Sequence, residues 1–517
     1  MGLEVEEEAG GLGASLERFN ESEEVFGIIR DLGTTIEDKQ LHEVAVERFR
    51  HVLDWYQEQP HLLDPHLEPL LGLLVDQIRR DAAGPLLHAT ATLTAHLFKV
   101  RGPKVVVKYL PHEVDDLERV VTVVAAQDPT DTTSWETRYI LLLWLSIIAM
   151  IPFDISRFDS GSQEPMAARL LEVTKVYLGA RDKCREAAAT LASTFLTRPD
   201  TRATLLPAFL LWAVTAMTDT ASSESDVTGA LTALCSVVKH GKREDLLDVA
   251  PSILEKTLSV NFKENSNTNI RKLSLKLVQR LGLVFLKAKV ASWRYQRGSR
   301  SLAATLGPSK PKEAEVELED EEEFYDVPET IEDVIEELLV GLKDKDTVVR
   351  WSAAKGIGRV TGRLPRALAD EVVGSLLDLF TQRETDGAWH GGCLALAELG
   401  RRGLLLPERL PQVVPSILAA LVYDQRRGNF SVGSHIRDAA CYVCWAFARA
   451  YEPAVLEPYV HRIAVALLTT GVFDREVNCR RAASAAFQEN VGRQVGLTHS
   501  WDLTFLLRAL SLTASTS

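Results

Sequence analysis

One short pattern recurs along this chain and limits what it can fold into. Each copy has an apolar residue, an arginine, a small residue three positions later and an apolar residue four positions beyond that. The clear copies carry Arg185, Arg271, Arg350, Arg437 and Arg480. Weaker copies at Arg138, Thr228 and His390 fill the gaps, giving steps of 47, 43, 43, 79, 40, 47 and 43 residues. A step of about 40–47 residues is the length of a HEAT or armadillo repeat.

The spacing inside each copy predicts a helix. The residue before the arginine and those three and seven after it are four positions apart, so they form one apolar stripe with the arginine at its edge. An Asp or Asn three or four residues earlier is expected to cap the free amides at the start of that helix. The capping candidates are Asp182, Asn267, Asp346 and Asp386.

The apolar stripe also predicts how the helices assemble. A single helical hairpin cannot bury such a stripe, so several hairpins have to stack. The predicted fold is therefore all-α, a HEAT/armadillo-type α-solenoid of stacked helical hairpins. We interpret the five arginines as structural positions that bridge adjacent repeats. The apolar window 139–153 is shorter than the roughly 20 residues that a membrane span needs, and we expect it to be a buried helix of the stack.

Charge and cysteine content exclude several classes of protein. The net charge of −14 argues against a protein that binds duplex nucleic acid, which needs a basic footprint. Residues 1–8 are acidic and lack the basic and apolar regions of a signal peptide, so an intracellular location is expected. Six cysteines in so long a chain form no disulfide framework, and Cys441 with Cys444 is a lone C-x-x-C pair without a second pair to hold zinc.

No group of residues in the sequence predicts catalysis. His42 and His112 each begin a zinc-protease motif, but Val46 and Asp116 stand where the second histidine is required. Neither a P-loop nor a G-x-S-x-G motif occurs. We therefore expect no catalytic residue, no metal ion and no cofactor, and a chain that is not itself an enzyme.

An acidic run interrupts the period. Nine acidic residues lie within 313–326, and such a run repels itself and is usually disordered. It explains the 79-residue step, which holds either one further repeat or an extended helix together with the insertion. The expected divisions are an acidic, partly disordered segment 1–40, repeats 41–302, an acidic linker or insertion 303–328, further repeats 329–494 and a tail 495–517.

Two basic groups are candidate partner-binding sites. The larger group interleaves cations with aromatic residues and comprises Lys287, Lys289, Trp293, Arg294, Tyr295, Arg297 and Arg300. The smaller group, at a predicted turn between helices, comprises Lys239, His240, Lys242 and Arg243. Three interpretations are open: single-stranded nucleic acid, an acidic protein or intramolecular partner, and a solvated helix end. An acidic partner would make the contact salt-sensitive.

Long stretches of the chain resemble one known family. They include YQEQPHLLDPHLE at 56–68, WSAAKGIGR at 351–359 and AWHGGCLA at 388–395, with shorter stretches at 135–139, 239–245, 293–298, 341–346 and 478–484. On these motifs the chain is similar to the tubulin-folding cofactor D family, also called tubulin-specific chaperone D, over roughly residues 45–494.

That resemblance implies a scaffold of HEAT/armadillo repeats without cofactors. Such a scaffold is expected to bind β-tubulin after its release from the chaperonin. With tubulin-folding cofactors E and C and an ARF-like small GTPase, it would assemble or dismantle the αβ-tubulin heterodimer. Two alternatives stay open: a GTPase-activating subunit acting on the ARF-like GTPase or tubulin, and a generic HEAT-repeat interaction scaffold. The implied location is the cytoplasm, with association with the cytoskeleton, centrosome and cell junctions.

The resemblance stops near Gln494, whereas the family continues into a longer C-terminal half. We therefore expect 495–517 to be a divergent tail, and we do not extend the family's full activity to this form. A capping helix is expected to cover the apolar face of the last repeat with the tail residues Trp501, Phe505, Leu506, Leu507 and Leu510.

Overall fold

A computed structural model describes residues 16–80, 84–159, 164–288, 290–297 and 327–494. The described residues form two compact units, unit 1 up to Lys242 and unit 2 from Arg243 onwards. The boundary expected at 303–328 falls within the span of unit 2, and residues 298–326 lie outside the described ranges.

Unit 1 is built of five helical hairpins. Its helices are α1 (Ser22–Thr35), α2 (Lys39–Asp54), α3 (Leu67–Arg80), α4 (Pro85–Arg101), α5 (Pro103–Val106), α6 (Asp116–Ala125), α7 (Trp135–Ile148), α8 (Met166–Leu178), α9 (Cys184–Phe195), α10 (Leu206–Thr218) and α11 (Glu224–His240). The hairpins are α1/α2, α3/α4, α6/α7, α8/α9 and α10/α11. In each hairpin we call the first helix A, the second helix B and the connection between them the A–B loop.

Unit 2 repeats this arrangement. Its helices are α12 (Arg243–Leu246), α13 (Ala250–Ser259), α14 (Thr268–Phe285), α15 (Thr330–Gly341), α16 (Thr347–Thr361), α17 (Arg366–Leu377), α18 (Asp386–Arg401), α19 (Leu410–Leu421), α20 (Ser434–Ala450), α21 (Pro453–Phe473) and α22 (Val477–Gln494). The hairpins are α13/α14, α15/α16, α17/α18, α19/α20 and α21/α22. Short 3-10 helices occur at Pro60–His66, Val107–Tyr109, Ile155–Phe158, Phe262–Glu264, Asp378–Phe380 and Pro407–Arg409.

Each unit has two layers of helices. Consecutive B helices pack against one another, and each A helix packs on its own B helix, so the B layer has neighbours on several sides. In α18 every residue from Ala388 to Gly400 is buried. The small residues of the repeat, including Ala188, Ala353 and Ala440, are buried at these B-helix contacts. The predicted α-solenoid fold, built of stacked hairpins whose apolar stripe faces neighbouring helices, is therefore confirmed.

Among its described residues, the long 79-residue step holds no further hairpin between those of Arg271 and Arg350. Helix α14 packs directly against α16, so Arg271 and Arg350 lie in consecutive hairpins. Nor does α14 extend toward the insertion, because it ends at Phe285. Residues 290–297 that follow are non-helical and alternate in exposure, with Ala291, Trp293 and Tyr295 turned partly inward. We call residues 290–297 the strap.

A small β-hairpin interrupts the helices of unit 2 and was not predicted. Strands β1 (Gln425–Arg427) and β2 (Phe430–Val432) pair antiparallel within the A–B loop between α19 and α20. The turn between them has Gly428 at φ 61°, a conformation that favours glycine. The Gly428-Asn429 dipeptide was the sequence signal that could have found it.

Candidate functional site

The repeat arginines lie in the first turn of their B helices. All but Arg185 donate to the A–B loop of their own hairpin, and Arg185 Nε donates to Leu178 O at the end of α8, at 3.3 Å. Arg350 Nη1 donates to the carbonyl oxygens of Asp344 at 2.6 Å and Lys345 at 3.0 Å. Arg480 Nη1 makes the corresponding bonds to the carbonyl oxygens of its own loop, at 2.7 and 3.0 Å. The carbonyl groups of these loops have no hydrogen-bond partner within a helix. The bonds from the arginines satisfy them and so hold the turn of each hairpin closed.

The same guanidinium groups reach the next hairpin. Arg271 Nε donates to Asp344 Oδ2 at 2.9 Å. Arg437 binds Asp474 in a bidentate pair, with Nε to Oδ2 at 2.6 Å and Nη2 to Oδ1 at 3.0 Å. We call this series of bonds, each linking one hairpin to the next, the arginine ladder.

Where no carboxylate is available, the ladder uses a neutral acceptor. Arg185 Nη2 donates to Ser225 Oγ of α11 at 2.8 Å. Arg350 Nε donates to His390 Nδ1 of α18 at 2.9 Å. The weakest link is Arg138, whose Nη2 lies 3.9 Å from Asp182 Oδ2 in the following A–B loop.

Burial strengthens the Arg437–Asp474 link. Both side chains are largely buried, with 8% and 4% of their surface exposed. Burial alone would raise the pKa of Asp474, but the hydrogen bonds from Arg437 and from Glu476 N, together with the charge of Arg437, outweigh it and hold that pKa below its usual value. The hydrogen bond to Asp474 in turn raises the pKa of Arg437. Breaking one side of such a pair leaves a buried charge without its partner.

The capping prediction holds for two of its four residues. Asp182 Oδ1 accepts a hydrogen bond from Cys184 N at 2.8 Å, and Asn267 Oδ1 accepts one from Asn269 N at 2.9 Å. Both side chains therefore satisfy amides at a helix start, as expected for caps.

The capping prediction is wrong for Asp346 and Asp386, because both carboxylates serve neighbouring hairpins. The Asp346 side chain makes no cap and instead accepts hydrogen bonds from Thr268 and Arg271 of the preceding hairpin. Helix α18 is capped by Thr385 Oγ1, which accepts from Ala388 N. Local sequence cannot distinguish a cap from a carboxylate that pairs with a distant arginine.

A histidine pair, of which His390 is buried and His435 partly buried, adjoins the ladder. The rings of His390 and His435 lie 5.2 Å apart, and His435 Nε2 is 3.5 Å from Asp386 Oδ2. Burial, followed by the nearby charge of Arg350, lowers the pKa of His390 to about 3. His390 is therefore neutral near pH 7, which lets its Nδ1 accept from Arg350.

The strap carries Trp293, Arg294, Tyr295 and Arg297 of the larger basic group and contacts helix ends of its own unit. Ala291 N donates to Gly362 O at 3.0 Å and Tyr295 N to Gly403 O at 2.7 Å. Trp293 Nε1 donates to Leu364 O at 2.9 Å. These acceptors follow the C-terminal ends of α16 and α18, where helix carbonyls lack intrahelical partners.

The end of the strap continues this series to a third B helix. Arg297 Nη1 donates to the carbonyl oxygens of Ala448 at 3.1 Å and Arg449 at 2.9 Å, in the last turn of α20. A cation at a helix C-terminus is favoured by the negative end of the helix dipole. Among the described residues, this basic segment thus contacts a row of helix ends.

The remaining residues of the two basic groups are placed differently. Arg294 and Lys287 are exposed, whereas Lys289 and Arg300 lie outside the described residues. In unit 1, Lys239 and Lys242 are exposed and His240 Nδ1 lies 3.1 Å from Ser193 Oγ. In unit 2, Arg243 Nη2 donates to Phe285 O at 3.1 Å.

Within the described ranges, His, Cys, Asp and Glu side chains form no group of three or more that could hold a metal ion. Cys441 and Cys444 are buried, and burial raises the pKa of both thiols. The apolar window falls largely on α7, whose Trp144 is buried, and among the described helices none has the length and apolar character to span a bilayer.

Comparison with known proteins gives consistent matches on sequence. A "Tubulin-specific chaperone D" of Dictyostelium discoideum is 34% identical over 411 residues, covering 70% of this chain and 28% of that protein. A "Tubulin-folding cofactor D" of Schizosaccharomyces pombe is 27% identical over 504 residues, covering 94% of this chain and 43% of that protein. The chain therefore spans less than half the length of either relative.

A solved structure and two family models also match this chain. A chain from a structure of Kap95p with RanGDP aligns with a TM-score of 0.47 and 13% identity, covering 95% of this chain and 53% of that chain. The family model for tubulin-specific chaperone D-like ARM repeat matches residues 53–217, and a second model of the same family, for ARM repeats, matches residues 269–500. Since these two models cover most of both units, the chain belongs to the tubulin-specific chaperone D-like family.

Proposed function

We propose that this chain is a tubulin-folding scaffold that binds β-tubulin after release from the chaperonin. The observation that carries the proposal is the match of both units to one family whose named relatives are tubulin chaperones. The stacked hairpins support it physically, because a row of repeats presents an extended surface on which a folded protein can bind. Such a scaffold would act in the cytoplasm, at the microtubule cytoskeleton.

The partners proposed for this scaffold are β-tubulin, tubulin-folding cofactors E and C, and an ARF-like small GTPase. With them the chain would take part in assembly and disassembly of the αβ-tubulin heterodimer. Because this chain spans 28% and 43% of its two relatives, we assign it tubulin binding first and regard the complete cycle as a property of the larger assembly.

A GTPase-activating role would need an arginine or other group supplied to the transition state. The ladder arginines are poorly suited to this task, since Arg271, Arg350 and Arg437 are buried and already donate within and between hairpins. An activating group would have to come from an exposed residue. We therefore place tubulin binding ahead of GTPase activation.

The test is a binding and hydrolysis assay with purified components. The chain is mixed with β-tubulin newly released from chaperonin, and complexes are separated by size-exclusion chromatography; the ARF-like GTPase is tested in parallel. GTP hydrolysis is then measured for each mixture. The proposal predicts a stable complex with β-tubulin and no acceleration of hydrolysis by the chain alone.

Two other results would count against the proposal. A chain that is folded by circular dichroism yet fails to retain β-tubulin at micromolar concentration would refute the scaffold role. Acceleration of hydrolysis without stable tubulin binding would instead support the GTPase-activating alternative. A mixture of the chain with tubulin that is already assembled as the heterodimer serves as the control for capture of the free subunit.

A further inference from the structure

Four A–B loops of unit 2 lie side by side along one edge of its hairpins. They comprise residues 342–346, 378–385, 422–433 and 474–476, and we call them the loop row. Ion pairs join neighbouring loops: Lys343 Nζ lies 2.6 Å from Glu384 Oε1, and Arg475 Nη2 lies 2.8 Å from Asp424 Oδ1. A third pair joins the β-hairpin to the start of α18, with Arg427 Nη2 at 2.8 Å from Asp386 Oδ1. These bonds make the loops one continuous surface.

The exposed charge of the loop row is basic, although the whole chain is acidic. Its exposed cations are Lys343, Lys345, Arg383, Arg426, Arg427 and Arg475, against the exposed acids Asp378, Asp424 and Glu476. The reason is the arginine ladder, which draws carboxylates inward. Asp474 and Asp344 side chains are only 4% and 11% exposed, whereas Arg475 is 60% exposed.

The corresponding loops of unit 1 have the opposite balance. In the described A–B loops at 36–38, 126–134, 179–183 and 219–223, the exposed cations are Arg181 and Lys183, against the exposed acids Glu37, Asp38, Asp128 and Asp219. The basic edge is therefore a property of unit 2 and does not follow from the repeat itself.

Large apolar side chains are exposed at the same edge. The exposed large apolar residues of unit 2 at or beside its A–B loops are Leu258, Val340, Val348, Val422, Phe430, Val472, Phe473 and Val477. Among the described residues of unit 2, only Val290 of the strap lies elsewhere. In unit 1 such residues are spread over both ends of the hairpins, with Trp55, Tyr109 and Phe153 at the opposite edge. Clustered exposed apolar surface ringed by charge is typical of a protein-binding site.

The β-hairpin places exposed cations and an exposed apolar side chain together at the centre of the loop row. Phe430 is 66% exposed and lies opposite Arg427 in the strand register, beside the tight turn at Gly428. Arg426 donates only to Gly428 O within the hairpin, at 3.3 Å. Among the described residues, neither Arg426 nor Arg383 forms an ion pair.

We propose that the loop row is a docking surface for an acidic segment of another protein, one that also carries large apolar side chains. Charge complementarity favours an acidic segment. Cations that form no ion pair within the chain attract the carboxylates of a partner at distances up to about a Debye length. Phe430 and its apolar neighbours select the apolar side chains, because their burial removes exposed apolar surface from water. This inference does not depend on tubulin being the partner.

The test uses the full chain and a short fluorescent peptide made of glutamates and two phenylalanines. Binding is measured by fluorescence anisotropy at physiological salt. Reversing both unpaired cations, Arg383→Glu with Arg426→Glu, is expected to weaken binding about tenfold, equivalent to about 1.4 kcal/mol. The matched control, Lys104→Glu with Lys108→Glu, makes the same charge change at exposed lysines of unit 1 and is expected to alter affinity less than about twofold.

A second variant separates the apolar contribution. Phe430→Ser should weaken binding of the phenylalanine peptide but leave a peptide with serine in place of phenylalanine unchanged. Equal losses in the Arg383/Arg426 and Lys104/Lys108 variants would overturn the proposal, as would a wild-type chain that does not bind the peptide.

Two further outcomes would assign the loop row to a different occupant and so also overturn the proposal. In one, the peptide binds only after the nine acidic residues within 313–326 are changed to the corresponding amides. That result would identify the chain's own acidic run as the occupant. The other is self-association in sedimentation that the Arg383→Glu and Arg426→Glu changes abolish, which would identify a second copy of the chain. Far-UV circular dichroism of each variant checks that it is folded.

Discussion

At the scale of single residues, two joins between consecutive hairpins combine an arginine of one hairpin with a glycine of the next. Arg185 and Arg350 each bridge to a hairpin whose repeat has Thr228 or His390 in place of the arginine. In both of those repeats the next residue is glycine. A Cβ on Gly229 would lie 2.2 Å from Leu178 O, and one on Gly391 would lie 2.0 Å from Leu342 O. Glycine thus permits a closer helix approach at the two positions without arginine.

The buried His390 makes the stability of unit 2 depend on pH. Its pKa of about 3 in the folded chain lies below the value of about 6.5 expected when unfolded. Between these values the unfolded chain binds a proton that the folded chain does not, so stability is lost as pH falls. From pH 6.5 to pH 5 the loss from this group is roughly 2 kcal/mol, at about 1.4 kcal/mol per pH unit.

Urea unfolding of wild type and His390→Gln at pH 7 and pH 5 measures this effect. Glutamine keeps an acceptor for Arg350 but does not titrate, so the variant should lose roughly 2 kcal/mol less stability over that interval. The exposed His112→Gln is the control and should follow the wild type. Parallel losses in His390→Gln and wild type would contradict the assignment.

At the scale of elements, the strap joins the C-terminal ends of three B helices. Gly403 is the tightest point, because its φ of 75° favours glycine and a Cβ there would lie 2.0 Å from Tyr295 O. The ring of Tyr295 also lies 5.5 Å from that of Tyr451. An extended segment with alternate residues turned inward can satisfy helix-end carbonyls at regular intervals.

We predict that Gly403→Ala displaces the strap. In the wild type, the backbone amides of Ala291 and Tyr295 donate hydrogen bonds to Gly362 O and Gly403 O. Both amides should exchange with deuterium faster in the variant, because local opening of the strap removes their protection. Gly374→Ala in α17 is the control, since a Cβ at that helical position meets nothing within 4 Å. Unchanged exchange at both amides in Gly403→Ala would show that the strap does not depend on this contact.

Sequence periodicity revealed the helices but not the long-range contacts. The eight copies of the repeat pattern located eight B helices correctly, because a buried stripe at helical spacing is a local property. The strap bonds join residues such as Arg297 and Ala448, which are far apart in sequence, and no local pattern encodes them. The cap prediction failed at Asp346 for the same reason, since its partner Arg271 lies in another hairpin.

The exposed surface was the least predictable part of the chain. Trp293 and Arg297 were candidate partner-binding residues on their chemistry, yet both donate to helix ends of unit 2. Arg383 and Phe430 were not singled out, because a cation or an aromatic residue in a loop is unremarkable until its neighbours are known. Only the fold shows that the ladder turns the loop carboxylates inward and leaves the cations outside.

At the scale of the whole molecule, each unit is held together by links between neighbouring hairpins. In repeat proteins, stability is approximately a sum of the repeats and the interfaces between them. The ladder places one charged or polar link at most of these interfaces. A defect in one link should therefore weaken the hairpins on either side of it and leave distant hairpins unaffected.

A double-mutant cycle at Arg437 and Asp474 measures whether a ladder arginine couples two hairpins. Native-state hydrogen exchange gives the free energy of opening of α20 and α22 in Arg437→Met, Asp474→Asn and the double variant. We expect a coupling of roughly 1–3 kcal/mol between the two changes, with α7 and α9 of unit 1 unaffected. Additive effects within about 0.5 kcal/mol would contradict the claim that the repeat arginines join one hairpin to the next.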